Sequence, residues 1–75
     1  MTREEIIKKA ETMIENAPKR TRFNQRIAPR LIDEIRLHEQ NATSEGLEAP
    51  SLEYADVAAE SLLIRINQES KQYGY

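Results

Sequence analysis

Apolar residues recur at helical spacing in three parts of the chain, and the first part is residues 2–17. Thr2 and Glu5 form a capping box there, because the threonine oxygen accepts from the third helical N–H while the glutamate reaches back. Pro18 ends the run. One helical face carries the apolar side chains Ile6, Ile7, Ala10, Met13, Ile14 and Ala17. We predict a helix over 2–17 whose face packs in a core or on another subunit, since a membrane-surface helix would carry more cations.

The period changes between residues 21 and 27. Inward and outward positions alternate there, with one set being Phe23, Gln25 and Ile27 and the other Arg22, Asn24 and Arg26. A period of two residues predicts a strand with one buried and one exposed face. The run is short and its middle inward residue is polar, so a helix that begins early is the alternative.

A second helical period follows Pro29. Proline suits the first helical position, and it disfavours helical dihedral angles at the residue before it. We predict a helix over 29–41, with an apolar face made of Leu31, Ile32, Ile35 and His38. Residues 43–50 contain Gly46 and Pro50 and show no clean period, which predicts a loop.

The third helical period covers residues 51–69 and is the widest. Ser51 is a good N-cap residue, and apolar residues then follow at steps of three and four: Leu52, Ala55, Ala59, Leu62 and Ile66. Val57, Leu63 and Ile64 widen this stripe past half of the helix circumference. Such a helix needs more than one neighbour, and in so short a chain we assign the second neighbour to another subunit.

Composition removes several classes of function. The chain has 75 residues, one histidine and no cysteine, so it predicts one small domain without a disulfide or a structural zinc site. His38 lacks the serine and acid of a catalytic arrangement, and the glycines are isolated. No apolar run approaches the length of a signal peptide core or a membrane span. We therefore predict no catalytic residue, no metal, no cofactor and no membrane contact, and a cytoplasmic location.

The charge pattern concentrates cations in one stretch. The net charge is −2, yet residues 19–30 contain no acid and five cations, which are Lys19, Arg20, Arg22, Arg26 and Arg30. Such asymmetry indicates a nucleic-acid contact more strongly than the net charge does. A solvated basic segment that binds an acidic protein surface is the alternative.

On a strand, this stretch would suit the major groove of DNA. Side chains two residues apart lie ~6.6 Å apart on one face of a strand, and two base pairs advance ~6.8 Å along B-DNA. Arg22, Asn24 and Arg26 would then read bases, since arginine can bridge guanine and asparagine can bridge adenine. Lys19, Arg20 and Arg30 would contact phosphates. A lone strand leaves its edge unpaired, so two copies would pair as an antiparallel ribbon.

Residues 23–35 resemble the strand and first helix of the ribbon-helix-helix family of DNA-binding proteins, the Arc and MetJ class. The resemblance implies an intertwined homodimer with inward residues in its core. Carried over to this chain, that core would contain Phe23, Ile27, Leu31, Ile32 and Ile35, together with Leu62 and Ile66. The chain departs from the family pattern at Gln25, in its longer 43–50 loop, and in having acids at Glu53 and Asp56 where the family meets a phosphate.

These observations predict a mainly α, ribbon-helix-helix fold with an extra N-terminal helix. The expected parts are an amphipathic helix at 1–18, a DNA-binding domain at 19–70 and a frayed tail at 71–75. The expected function is sequence-specific binding of double-stranded DNA as a homodimer, or as a higher oligomer through the first helix, in a repressor, an antitoxin or a plasmid-transfer accessory protein. The alternative is an all-helical acidic protein-interaction module, such as a small phage-type inhibitor or adaptor.

Overall fold

Three helices form an up-down-up bundle in the computed structural model, which describes residues 1–45 and 49–75. They are α1 (Arg3–Asn16), α2 (Ala28–Glu45) and α3 (Ala49–Tyr73). A π-helical turn, Phe23–Ile27, leads directly into α2. The start of α1 forms ion pairs with Glu39 of α2 and Asp56 of α3. Helix α1 therefore runs antiparallel to α2 and parallel to α3.

Helix α1 begins and ends where its sequence signals place it. The Thr2 hydroxyl accepts from the Glu5 N–H at 3.3 Å, and a Glu5 carboxylate oxygen accepts from the Thr2 N–H at 3.2 Å. The bond from the Thr2 N–H, and after it a bond from the Thr2 hydroxyl to the same carboxylate oxygen at 2.9 Å, lower the pKa of Glu5. At the other end Ala17 is extended, with φ −70° and ψ 135°, as the residue before a proline prefers. The predicted helix over 2–17 is thus confirmed to within one residue at each end.

One hydrophobic core joins all three helices. Its buried members are Ile6, Ile7 and Ala10 of α1, Ala28, Ile32 and Ile35 of α2, and Ala55, Ala59, Leu62, Leu63 and Ile66 of α3. Helix α3 therefore packs on α1 and on α2. A second neighbour of α3, which we expected from another subunit, is α1 of the same chain, while Val57 and Ile64 of the wide stripe stay exposed.

The predicted strand over 21–27 is wrong, and with it the ribbon-helix-helix fold. No strand occurs in residues 1–45 or 49–75, and residues 23–27 are helical. The buried positions here are Thr21, Asn24 and Ala28, which are three and four residues apart as in a helix. Two of these three residues are polar, so the helical period is invisible in a hydrophobic pattern. The alternative of an early helix start is what the structure contains.

Pro29 lies inside a continuous helical segment instead of starting one, so the predicted helix over 29–41 begins too late. In a regular α-helix the proline ring would clash with the carbonyl four residues earlier, which belongs to Gln25. The N–H of Ala28 instead donates to the carbonyl of Phe23, five residues back. We attribute the wide turn before Pro29 to this clash, since π-helical turns widen the local backbone.

The second and third helices are both longer than predicted. Helix α2 continues to Glu45 and α3 begins at Ala49, so both extend into the predicted loop at 43–50. Residues 46–48 of that loop lie outside the described residues. Helix α3 ends at Tyr73, four residues beyond the prediction. Gly74 follows with φ 76°, and its N–H donates to the Ser70 carbonyl at 2.9 Å, as in a glycine C-cap.

The residues expected in a dimer core have different positions within the single chain. Those buried in its own core are Ile32, Ile35, Leu62 and Ile66. Phe23 and Leu31 are half-buried at the edge of that core. Ile27 is 41 % exposed and does not belong to it. None of the described helices has the length and apolarity that crossing a membrane requires.

Candidate nucleic-acid interface

The segment that carries the basic cluster is anchored by its inward side. Thr21 is buried, and both its N–H and its hydroxyl donate to the carbonyl of Pro18, at 3.0 and 2.6 Å. The N–H of Gln25 then donates to the Thr21 carbonyl at 3.3 Å, which starts the helical turn. These bonds fix the chain direction between α1 and α2 and determine which side chains point outward.

Asn24 attaches the same segment to α3 and the C-terminus. Its side chain is 0 % exposed. Its amide nitrogen donates to the Ile66 carbonyl at 3.5 Å and to the Tyr75 hydroxyl, and its backbone N–H donates to a carboxylate oxygen of Glu69 at 3.2 Å. A side chain in this position contacts protein on all sides, so Asn24 cannot meet a base edge in this structure.

Gln25 caps the end of α1. Its side-chain amide donates to the carbonyl of Ala17 at 2.8 Å and to that of Ile14 at 3.3 Å. The last four carbonyls of a helix have no partner within the helix, so an outside donor stabilises them. This capping role explains why a polar residue occupies position 25, where the strand pattern would place an apolar one.

The outward side of the segment presents the cations. Arg22, Arg26 and Arg30 are exposed and four residues apart along the helical segment. Eight helical residues advance ~12 Å, so the three guanidinium groups form a row of roughly that length. Lys19 and Arg20, also exposed, lie in the turn before it. We call these five residues the basic end.

The cations of the basic end are open to solvent and to a partner. No described carboxylate lies within ion-pair distance of any of the five. Arg20 contacts the ring of Tyr73, with 5.5 Å from the guanidinium carbon to the ring centroid. That contact orients the side chain without neutralising it, since a cation–π interaction leaves the full charge in place.

Helix dipoles do not cancel this charge. The C-termini of α1 and α3 and the N-terminus of the segment leading into α2 meet at the basic end. Each terminus is equivalent to about half an elementary charge, so the three sum to roughly −0.5. The Glu69 carboxylate and the C-terminal carboxylate of Tyr75 add two negative charges at this end, and the five positive charges still outweigh the total. The basic end is therefore a region of positive potential on a chain with net charge −2.

Acids concentrate at the opposite end of the bundle. Arg3 there donates to Asp56 at 2.6 Å and approaches Glu39 at 3.5 Å. Burial lowers the pKa of Arg3, but Asp56 and Glu39 outweigh it and raise that pKa above its ordinary value. Glu4, Glu5 and Glu53 are exposed carboxylates in the first turns of α1 and α3 at this end, and the exposed Glu60 lies one helical turn beyond Asp56. We call this region the acidic end.

Sequence reasoning located the cations of the basic end but misjudged how they are arranged. The two predicted base readers Arg22 and Arg26 and the three predicted phosphate contacts lie together on the surface. Asn24, the third predicted base reader, is buried away from them. Sequence reasoning missed the anchoring roles of Thr21 and Gln25. The three- and four-residue spacing of Thr21, Asn24 and Ala28 was the one sequence signal that could have indicated a buried helical face here.

The single histidine packs on an aromatic ring, and the described residues contain no cluster that could hold a metal ion. No group of three or more potential ligands lies close enough together to hold a metal ion. His38 is half-buried and packs against Tyr54, with 4.6 Å between ring centroids and a tilt of 51°. This is the environment of a side chain at the edge of a core.

Comparison of the chain with models of known protein families, with curated proteins and with solved structures finds no match. The function must therefore be argued from the basic end itself.

Proposed function

We propose that this protein binds double-stranded DNA through the phosphate contacts of its basic end. The observation that supports the proposal is a surface of five exposed cations without a described acid partner. A row of about 12 Å matches the axial rise of three to four phosphates on one strand of B-DNA. Arginine is suited to such contacts because its fork of N–H donors fits phosphate oxygens.

The proposed contact is to the backbone, without base reading. Phosphate contacts position a protein on DNA, whereas sequence is read at base edges. The ribbon that would have placed three readers in the groove is absent from the described residues, and its asparagine is buried. In place of the repressor, antitoxin and plasmid-transfer roles, which need sequence reading, we propose the broader role of a DNA-associated protein of the cytoplasm.

A titration of a labelled random duplex at two salt concentrations tests the proposal. If the five cations neutralise five phosphates, log K should fall with log salt with a slope no steeper than about −4.5. Arg22→Gln with Arg26→Gln should lower affinity at least about tenfold and reduce the slope by about 2. Both residues are exposed, so we expect the free energy of unfolding to change by less than about 0.5 kcal/mol.

The matched control removes two cations elsewhere. Lys8 and Lys9 are exposed on α1, outside the basic end. Lys8→Gln with Lys9→Gln should leave affinity within about twofold of the parent, because long-range effects of exposed charges are screened at physiological salt. Equal losses in the two double variants, or a parent that shows no salt-sensitive binding, would contradict the proposal.

A second candidate function is a helical protein-interaction module that binds a basic partner. The acidic end supports it, since its exposed carboxylates form a region of negative potential opposite the basic end. Glu53→Gln with Glu60→Gln should then weaken binding to a basic protein surface at low salt. The same double variant should bind DNA no more weakly than the parent if the first proposal holds.

A further inference from the structure

A groove of about 450 Å³ opens between α2 and α3, and none of its lining residues belongs to α1. Its apolar lining includes Leu31, Ile35, Ala58 and Leu62. Phe23 also lines the groove and contacts the guanidinium of Arg65, with 5.0 Å from its carbon to the ring centroid. A single chain leaves this face of the bundle without a neighbour.

Helix α3 carries a second, partly apolar seam, and four of its five residues line this groove. Val57 is 64 % exposed, Ile64 60 % and Tyr54 54 %. Together with Ser61 and Gln68 these residues are spaced by three, four, three and four positions. That alternation is the spacing of a and d positions in a coiled coil, where one helix packs along another. The inner seam of α3 is already buried by α1 and α2, so a single chain has no further helix to cover this outer seam.

We propose that the outer seam of α3 binds the same seam of a second copy, with the two helices antiparallel about a two-fold axis near Ser61. In this register Val57 of each copy lies beside Ile64 of the other, and Tyr54 lies beside Gln68. The small side chain of Ser61 allows the helices to approach at the axis. The seam is therefore self-complementary, as an interface across a two-fold axis must be.

The charge distribution selects the antiparallel arrangement. The basic end and the acidic end lie at opposite ends of a molecule whose longest dimension is 42 Å. An antiparallel pair places the basic end of each copy next to the acidic end of the other. A parallel pair would place two basic ends together, and juxtaposed like charges oppose association.

The seam alone is short for a stable dimer. From Tyr54 to Gln68 it extends ~21 Å along α3. A standard interface buries about 800 Å² on each partner, so the dimer would bury the groove between α2 and α3 as well as the seam. The inference is independent of DNA binding, since none of its seam residues belongs to the basic end.

Molar mass measured against chain concentration tests the dimer. The parent should approach twice its chain mass of 8.7 kDa as concentration rises. Ile64→Glu should raise the dimer dissociation constant at least about 30-fold, because it places a charge in the centre of the interface. Ile64 is exposed in the single chain, so the variant should keep its helical circular dichroism.

Leu37 provides the matched control. It is 54 % exposed on α2 and does not line the groove. Leu37→Glu should dimerise like the parent. A parent that stays monomeric at high concentration would overturn the proposal, and the groove would then be open to a different protein. Equal weakening by Ile64→Glu and Leu37→Glu would also overturn it.

A single introduced cysteine tests the register. The chain contains no cysteine, so any disulfide in such a variant must join two copies. Ser61→Cys should cross-link rapidly on mild oxidation, because its two copies face each other at the axis. Gln68→Cys should cross-link at least about tenfold more slowly, because its two copies lie ~21 Å apart along the antiparallel pair. A parallel pair would place each of these residues opposite its own copy, so similar rates for the two variants would overturn the antiparallel register.

Discussion

Asn24 has the chemistry of a base reader but the position of a structural residue. Its amide can bridge adenine in principle, yet here it donates to the Ile66 carbonyl and the Tyr75 hydroxyl. Its Oδ1 atom is buried, and no described group bonds it. A buried amide with these partners joins the start of the α2 segment to the end of α3.

Replacement of Asn24 should therefore reduce stability without a separate effect on DNA. We expect Asn24→Ala to lower the free energy of unfolding by about 1–3 kcal/mol, because the variant loses two side-chain hydrogen bonds in a buried site. Urea denaturation followed by circular dichroism measures this change. Arg26→Ala, an exposed neighbour, should change it by less than about 0.5 kcal/mol.

The same variants separate the two roles. DNA affinity per folded molecule should be unchanged in Asn24→Ala and lowered in Arg26→Ala. An Asn24→Ala protein as stable as the parent but deficient in DNA binding would restore the reader assignment for this residue.

Residue type alone predicted which charges are exposed but not which polar groups are buried. Arginine and lysine are rarely fully buried, so the surface location of the basic end followed from composition. Thr21 and Asn24 are 0 % exposed, and the Thr21 hydroxyl and the Asn24 amide nitrogen both donate hydrogen bonds within the protein. The partners of the Asn24 amide lie 42 and 51 positions away in the chain, so the residues around Asn24 do not identify them.

At the scale of elements, Gln25 connects the π-helical turn to the end of α1. Gln25→Ala leaves the carbonyls of Ile14 and Ala17 without this donor, and we expect a loss of about 1–2 kcal/mol in the free energy of unfolding. Gln25→Glu keeps the shape of the side chain but places a negatively charged carboxylate against two carbonyl oxygens. At neutral pH the glutamate variant should therefore lose more of the free energy of unfolding than the alanine variant does.

The pH dependence of Gln25→Glu has a definite sign. Two facing carbonyls and partial burial raise the pKa of the introduced carboxyl in the folded state. The folded state then binds a proton more readily than the unfolded state, so stability increases as pH falls through the folded-state pKa. Urea denaturation at pH 7 and at acidic pH, relative to the parent, checks this. A glutamate variant at least as stable as the alanine variant at neutral pH would contradict the capping role.

The three helices were predictable because each has a hydrophobic period, and α1 also has explicit end signals. The start of the second helix was not. Pro29 normally marks a first turn, and the preceding residues are arginines and amides whose alternation imitates a strand. The π-helical turn avoids the clash between the Pro29 ring and the carbonyl four residues earlier, so the helix can begin before the proline. Formation of this turn depends on the tertiary hydrogen bonds of Asn24 and Gln25, which the sequence does not reveal.

At the scale of the whole molecule, the three helices share one small core. Ile7 of α1 is fully buried beside residues of both other helices. Surface ion pairs such as Arg36 with Glu11 at 3.1 Å add at most about 1 kcal/mol each. The bundle therefore depends on apolar contacts between helices, and α1 supplies part of those contacts for α3.

Shared burial predicts that α1 and α3 unfold together. A domain of this size has a free energy of unfolding of roughly 4–11 kcal/mol, and Ile7→Ala should remove about 2–5 kcal/mol of it. Hydrogen exchange should show faster opening of α3 amides as well as α1 amides, while Lys8→Ala at the exposed neighbouring position should leave both nearly unchanged. Protection of α3 that persists in Ile7→Ala would mean that α2 and α3 fold without α1.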